Sequence, residues 1–282
     1  MRAVELRARE KVVAGLALAA LLAVGTLPRA AHAQWWENVR STVPLNAKGE
    51  PDLTAPAPRT KDGRPDLSGI WNPHSNKYLR NIAADMKPED VPFQPWAKQV
   101  ADERANGSHS REDPDANCLP QGVPRLGAAP APWKFVQTAD LIVVVHEAFS
   151  LWRQIFLDGR KLAANANPSW LGYSTGHWEG NTLVVDTRGF NGKTWLDQVG
   201  KPTTEKLHVT ERYTRDSPDT IRYEVTMDDP EDFTKPWRQA EIFRLRPNER
   251  LREYECIENN EDLLRFEKLL QTDPTFQNTP TR

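Results

Sequence analysis

Residues 207–227, LHVTERYTRDSPDTIRYEVTM, predict a β-hairpin. Apolar and polar residues alternate through Leu207–Thr214 and again through Thr220–Met227, which is the two-residue period of a half-buried strand. Between them lies Asp216–Asp219, whose aspartates, serine and proline are typical of a tight turn. The two strands are therefore expected to pair antiparallel.

Alternation places Glu211 on the apolar face of this hairpin. Val209 and Tyr213 share that face on the first strand, and Tyr223 lies on the matching face of the second. An isolated buried carboxylate is too costly to keep ionised, so within a closed core Glu211 must be paired, hydrogen-bonded or protonated. A group of this kind is a candidate functional residue. His208 is predicted on the opposite face, which argues against a His208–Glu211 metal pair.

Other short β-like runs, separated by turn residues, predict the rest of the fold. They are Leu67–Trp71, Trp133–Thr138, Leu141–Glu147, Leu151–Leu157, Trp170–Trp178, Thr182–Arg188, Trp237–Leu245 and Leu251–Ile257. Together with the hairpin they predict an all-β, antiparallel meander of about ten strands. Such a sheet avoids open edges by closing, so a closed or partly closed barrel is expected.

Two helices are predicted to pack outside the barrel. One lies in Pro88–Gly107, within a helix and loop insertion at 87–132, and the other is an amphipathic helix at Asn259–Leu270. The proline-rich residues 34–66 read as an extended leader, so 67–282 is predicted to be a single barrel domain.

The first 33 residues resemble a secretory signal peptide. A basic start is followed by the apolar run Val12–Leu27 and by the small-residue site Ala31–Ala33. Cleavage near Ala33 would leave a periplasmic or secreted protein. The alternative is that the segment is retained as a membrane anchor, but its apolar run is shorter than the ~20 residues that span a bilayer. Cleavage removes five basic and two acidic residues, leaving 32 Lys and Arg against 37 Asp and Glu, a net charge of −5. Without a basic stripe, nucleic-acid binding is not expected.

The two cysteines, Cys118 and Cys256, are expected to form a disulfide in an oxidising compartment, the alternative being two buried thiols. No Cys-x-x-Cys and no His-x-x-x-His spacing occurs, so neither a metal nor a cofactor is predicted, although a zinc or iron site that uses His146 or His177 stays open as an alternative. The oligomeric state is left open.

Glu147 is the predicted second inward carboxylate. In the run Leu141–Phe149 both faces are largely apolar, with Glu147 on one and His146 on the other, so the strand is expected to be covered on both sides. Arg153 on the next strand is its nearest candidate partner. Two interpretations stay open: a structural Glu–Arg pair, or an acid or base inside the barrel.

The aromatic residues predict a binding cavity. Trp152 and Trp178 lie in predicted strands, and with Tyr213 and Tyr223 they are expected to form walls for a small hydrophobic or aromatic molecule. Motifs of covalent and nucleotide chemistry, such as Gly-x-Ser-x-Gly, are absent from the sequence. Acid–base chemistry is what remains.

Two functional hypotheses follow. The first is a secreted enzyme, a lyase, isomerase or hydrolase, that performs cofactor-independent acid–base chemistry. Glu211 and Glu147 would be its acid and base, and Arg153 would orient Glu147 or bind an anionic group of the substrate. The alternative is a non-catalytic periplasmic protein that binds a hydrophobic small molecule in the same barrel, with both glutamates in structural ion pairs.

Several phrases together resemble a family of secreted bacterial proteins of mostly unassigned function. They include Pro65–Trp71 (PDLSGIW), Trp178–Asp186 (WEGNTLVVD) and Leu207–Arg212 (LHVTER). The resemblance implies export and a shared fold, with no established activity to carry over. Gly69–Trp71 is also similar to the Gly-x-Trp of the first strand in lipocalin-like barrels.

Overall fold

The computed structural model describes residues 43–162, 166–258 and 260–272. Within them nine strands follow one another around a closed barrel, and the last pairs with the first. They are β1 (Gly69–Pro73), β2 (Trp133–Gln137), β3 (Leu141–His146), β4 (Trp152–Phe156), β5 (Tyr173–Glu179), β6 (Thr182–Arg188), β7 (His208–Ser217), β8 (Thr220–Asp228) and β9 (Trp237–Leu245). The predicted all-β barrel is confirmed. The predicted signal peptide and the start of the leader lie outside the described residues.

One pair of strands departs from the predicted antiparallel meander. β4 and β5 run parallel and share only two residue pairs, Ile155 with Ser174 and Phe156 with Thr175. The connection between them returns to the end at which β4 began, so both strands run in the same direction. By this register the first half of β4 lies opposite residues that precede β5, and it makes no ladder pairs there.

Two predicted strands differ from the structure. Residues 251–258 form coil and a turn, because most of their side chains are exposed and no alternating buried face exists to hold a strand in a sheet. β5 begins at Tyr173 rather than at Trp170, since Gly172 adopts a left-handed conformation (φ +64°) that interrupts an extended chain.

Three α-helices are described: α1 (Lys77–Arg80), α2 (Pro95–Ala105) and α3 (Asp262–Thr272). The last two match the predicted helices, and α2 starts with a proline at its first turn, where the missing N–H costs nothing. Short 3₁₀ turns lie at Pro88–Asp90, Ser110–Glu112, Pro114–Asn117, Arg125–Ala128 and Ala148–Ser150. None of the helices in the described part of the chain is both long and apolar enough to cross a bilayer.

The barrel is filled by large apolar and aromatic side chains. On β7 and β8 the inward face carries buried Val209, Tyr213, Ile221, Tyr223 and Val225, as alternation predicts. Aromatic rings meet edge to face in the centre, Trp133 contacting both Phe135 and Phe243 at 4.9 Å between ring centroids. Each such residue contributes roughly 1.5–3 kcal/mol by leaving water. The interior is therefore a packed core.

The loop at 107–132 covers the end of the barrel where β2 begins; a disulfide ties it to the segment after β9, and an ion pair within the loop holds its shape. Cys118 and Cys256 form the predicted disulfide, with their Cα atoms 5.4 Å apart. Buried Arg125 donates two hydrogen bonds to the Asp113 carboxylate, at 2.8 and 2.7 Å. Such a bidentate pair fixes geometry as well as charge. The loop is thus a braced cover over this end of the barrel, joined by the disulfide to the chain that follows β9.

Candidate functional site

Glu211 lies inside the barrel, with only 2% of its surface exposed. Its Oε1 accepts hydrogen bonds from the hydroxyl groups of Tyr213, at 2.6 Å, and Tyr223, at 3.0 Å. Its Oε2 accepts a hydrogen bond from Nη2 of Arg153, which also makes an ion pair with it. The predicted pairing of a buried Glu211 is confirmed, since both carboxylate oxygens are occupied.

The predicted pair between Glu147 and Arg153 is wrong. The inward residues of β3 are Ile142, Val144 and His146, so Glu147 follows on the other side of the barrel wall. There its Oε2 accepts a hydrogen bond from the backbone N–H of Arg252, at 2.7 Å. Arg153 points inward instead. Glu147 and Glu211 therefore lie on opposite sides of the wall, and the structure brings no second carboxylate to Glu211 from β3.

A small cavity of about 20 Å³ adjoins the Glu211 cluster. Its walls include Val123, Pro124, Leu126 and Gly127 from the covering loop, and Trp133, Val144, His146, Arg153, Glu211, Tyr213, Tyr223 and Phe243 from the barrel. A space of this size holds about one water molecule. Several titratable groups thus share one cavity, but the cavity does not have room for an organic substrate.

Burial sets the protonation of the groups around this cavity. Desolvation, with the neighbouring Arg153 cation as a second cause, lowers the pKa of His146 to about 3, so its imidazole is neutral at pH 7. Burial and the charge on Glu211 raise the pKa of Tyr213 and of Tyr223 well above 10. For Arg153, burial is the largest single influence and would lower the pKa, but the charge on Glu211, the hydrogen bond to it and the two tyrosines together outweigh burial and keep the guanidinium protonated. Arg153 therefore stays cationic beside the Glu211 carboxylate.

Glu241 is a second inward carboxylate that the sequence reading missed. It lies on β9, directly opposite Tyr223, and only 8% of its surface is exposed. Among the described residues, neither its Oε2 nor the Nε2 of neighbouring inward Gln239 has a hydrogen-bond partner. Burial raises the pKa of Glu241 to about 8, against the weaker opposing effect of Lys77. The sequence could have revealed it, because strand alternation through Trp237–Leu245 places Glu241 on the same face as Trp237 and Phe243.

A larger groove opens on the barrel wall where β4 and β5 fail to pair. Its volume is about 360 Å³, which is within the range of small-molecule sites. Its walls are formed by Pro120, Leu151, Trp152, Arg153, Gln154, Phe156, Ser169, Trp170, Leu171, Gly172, Tyr173 and Ser174. Most of these are apolar or aromatic. Arg153 lines the groove as well as the inner cavity, and so it connects the two.

The predicted aromatic wall divides between inside and outside. Tyr213 and Tyr223 line the inner cavity. Trp152 is 59% exposed and faces the groove, since it precedes inward Arg153 on the same strand. Trp178 is partly buried against the barrel core. One enclosed site lined by all four side chains is therefore not what the structure shows.

No group of three or more His, Cys, Asp or Glu side chains is placed to hold a metal ion within the residues that the structure describes. Comparison with known proteins adds nothing to the assignment: no family model, curated protein or solved structure matches the chain. The resemblance to secreted bacterial proteins stays a prediction. Function must therefore be argued from the two sites themselves.

Proposed function

We propose that the protein binds a small hydrophobic or aromatic molecule in the groove between β4 and β5. The observation that carries this proposal is the groove itself: about 360 Å³ of space, walled by Trp152, Phe156, Trp170 and Tyr173, with buried Arg153 beside it. An apolar concavity with a few polar groups is the usual form of a small-molecule site. Export to the periplasm or beyond, with removal of the signal peptide, belongs to the same proposal, and the disulfide is compatible with it.

The state of the interior favours binding over catalysis. Glu211 has all its oxygens occupied, and the cavity next to it holds about one water molecule. A general base must lie within hydrogen-bond reach of a substrate proton, and a cavity of this size leaves no room beside Glu211 for an organic substrate. The charge pair inside the barrel therefore serves packing and positioning, and the ligand is held at the wall.

Titration with 2-naphthol, a fluorescent aromatic probe, tests this proposal. Binding in the groove should quench tryptophan emission, and Trp152→Ala should weaken the apparent affinity at least tenfold. Trp96→Ala is the matched control, because Trp96 is also a half-exposed tryptophan (46%) but lies on α2. Equal affinities for the wild type and both variants, or no binding at all, would refute the groove as a binding site.

The second candidate function is the predicted acid–base enzyme, which one observation favours. His146, Arg153, Glu211 and two tyrosines converge on one cavity, and converging titratable groups are typical of active sites. The covering loop would have to move to admit a substrate. Incubation with a mixture of small aromatic and cyclic compounds, followed by mass spectrometry, should then show turnover that Glu211→Gln abolishes without unfolding the protein. Capture of a compound without conversion would leave only the binding function.

A further inference from the structure

We infer that the groove selects neutral aromatic molecules that carry a hydrogen-bond-accepting oxygen, and that Arg153 donates to that oxygen. This inference rests on the proposed function and names the class of ligand that the same groove takes. Three observations carry it: the hydrogen bonds that Arg153 leaves unmade, the charge already beside it, and the aromatic composition of the walls.

The guanidinium of Arg153 has N–H groups that donate no hydrogen bond within the described part of the chain. Its Nη2 is used by Glu211, whereas Nη1 donates to no other residue in the described ranges, and buried Nε has no partner among them either. A guanidinium carries five N–H groups and no acceptor, so each unused N–H in a buried place favours any oxygen that can reach it. Arg153 lines both the inner cavity, which has room for about one water molecule, and the groove, so an organic ligand that supplies such an oxygen must lie in the groove.

The presence of Glu211 beside Arg153 indicates that the ligand oxygen is neutral. The Arg153 cation is already balanced by a carboxylate in direct contact with it. A second carboxylate, on the ligand, would meet the repulsion of Glu211 in a poorly solvated setting and would lose its own hydration. A carbonyl or ether oxygen gains the hydrogen bond without either cost. The pair therefore discriminates in favour of neutral acceptors.

The aromatic preference follows from the walls. Trp152, Trp170 and Tyr173 supply flat surfaces, and aromatic pairs gain attraction beyond the area that they bury. An aliphatic ligand of equal size would lose that gain. An aromatic hydrocarbon would keep it but would leave the Arg153 N–H groups unpaired, so it should bind more weakly than a ring that carries an acceptor.

Three ring-matched probes test the inference on the full mature protein: acetophenone as the neutral acceptor, benzoate as the anion, and ethylbenzene as the ring without an acceptor. Acetophenone should bind about tenfold tighter than either of the others, as expected for one charge-assisted hydrogen bond. Affinities come from NMR titrations that follow the indole N–H signals, with that of Trp152 assigned from Trp152→Phe.

Substitution of the pair separates specificity from fold. Arg153→Met alone leaves Glu211 buried and unpaired and could unfold the barrel. The double variant Arg153→Met/Glu211→Gln removes both charges at similar volume. In it, acetophenone and ethylbenzene should bind equally, whereas Trp96→Ala should keep the tenfold difference.

The outcomes distinguish the two levels of the proposal. If none of the three probes binds, the proposed function fails along with the inference. If all three bind equally to the wild type, or if the double variant keeps the preference, the groove binds aromatics but Arg153 does not select them. If benzoate binds tightest, the guanidinium selects an anionic ligand, and the inference of a neutral ligand is overturned.

Discussion

Glu241→Gln should change how the stability of the barrel depends on pH. In the folded protein the pKa of Glu241 is raised to about 8 by burial, against an ordinary value of 4.5. Between these values the folded state holds a proton that the unfolded state has lost. Stability must therefore fall as pH rises through this window.

The size of the effect follows from the width of the window. Each unit of difference in pKa is worth about 1.4 kcal/mol, so between pH 5 and pH 9 this one carboxyl should cost the wild type roughly 4 kcal/mol. Glutamine has the same shape and does not titrate. It places an amide nitrogen where the carboxyl oxygen lacked a partner, which adds a penalty of about 1–3 kcal/mol that does not vary with pH.

Urea unfolding followed by tryptophan fluorescence at pH 5 and pH 9 measures the difference. Asp232, whose pKa burial also raises to about 8, and His146 titrate in both proteins, so their contributions cancel in the comparison. Relative to the wild type, Glu241→Gln should be more stable at pH 9 than at pH 5 by several kcal/mol. Glu224→Gln, on the outward face of β8, should show no such gain. A variant-to-wild-type difference that is the same at both pH values would refute the assignment of a protonated Glu241.

Two further predictions concern the crosslinks that hold the interior and its cover. Arg153→Met and Glu211→Gln should each destabilise the protein by about 3–5 kcal/mol, because each leaves a buried partner uncompensated. The double variant should lose clearly less stability than the sum of the two single losses. Additive losses in urea unfolding would show that the pair is not coupled. Cys118→Ser/Cys256→Ser should lower the free energy of unfolding by up to about 5 kcal/mol, since the disulfide joins residues 138 positions apart. An unchanged unfolding midpoint would show that the bridge constrains neither the loop nor the unfolded chain.

Much of the barrel could be predicted because alternation and turn residues are local signals. The hairpin at 207–227 is the clearest case: its turn, its pairing and the inward direction of Glu211 all follow from the period of a strand. The parallel pairing of β4 with β5 could not be predicted, because it depends on the path of the intervening loop rather than on either strand's residues. The groove opens beside these two pairs, where the chains do not pair.

The candidate site was predicted less well than the fold. β3 is apolar on both faces, so alternation separated Glu147 from His146 but could not say which of them faces inward. Arg153 was predicted to pair with Glu147, yet its partner is on β7, 58 positions along the chain, and such a contact leaves no trace in local spacing. Glu241 could have been found, because the face of β9 that it shares with Trp237, Phe243 and Leu245 is clearly the more apolar one.

The wall of the barrel is irregular where β4 and β5 separate, and this irregularity favours the wall as the functional site. Inside the barrel, Arg153 and Glu211 neutralise each other beneath a loop that a disulfide ties to the chain after β9 and that the Arg125–Asp113 pair braces internally. Where β4 and β5 separate, the barrel gives up ladder hydrogen bonds and leaves Trp152 exposed. Departures of this kind lower stability, and proteins retain them mostly where function requires them. Arg153 lines both regions: Glu211 pairs with it inside the barrel, and its remaining N–H groups are the donors that we propose for a ligand in the groove.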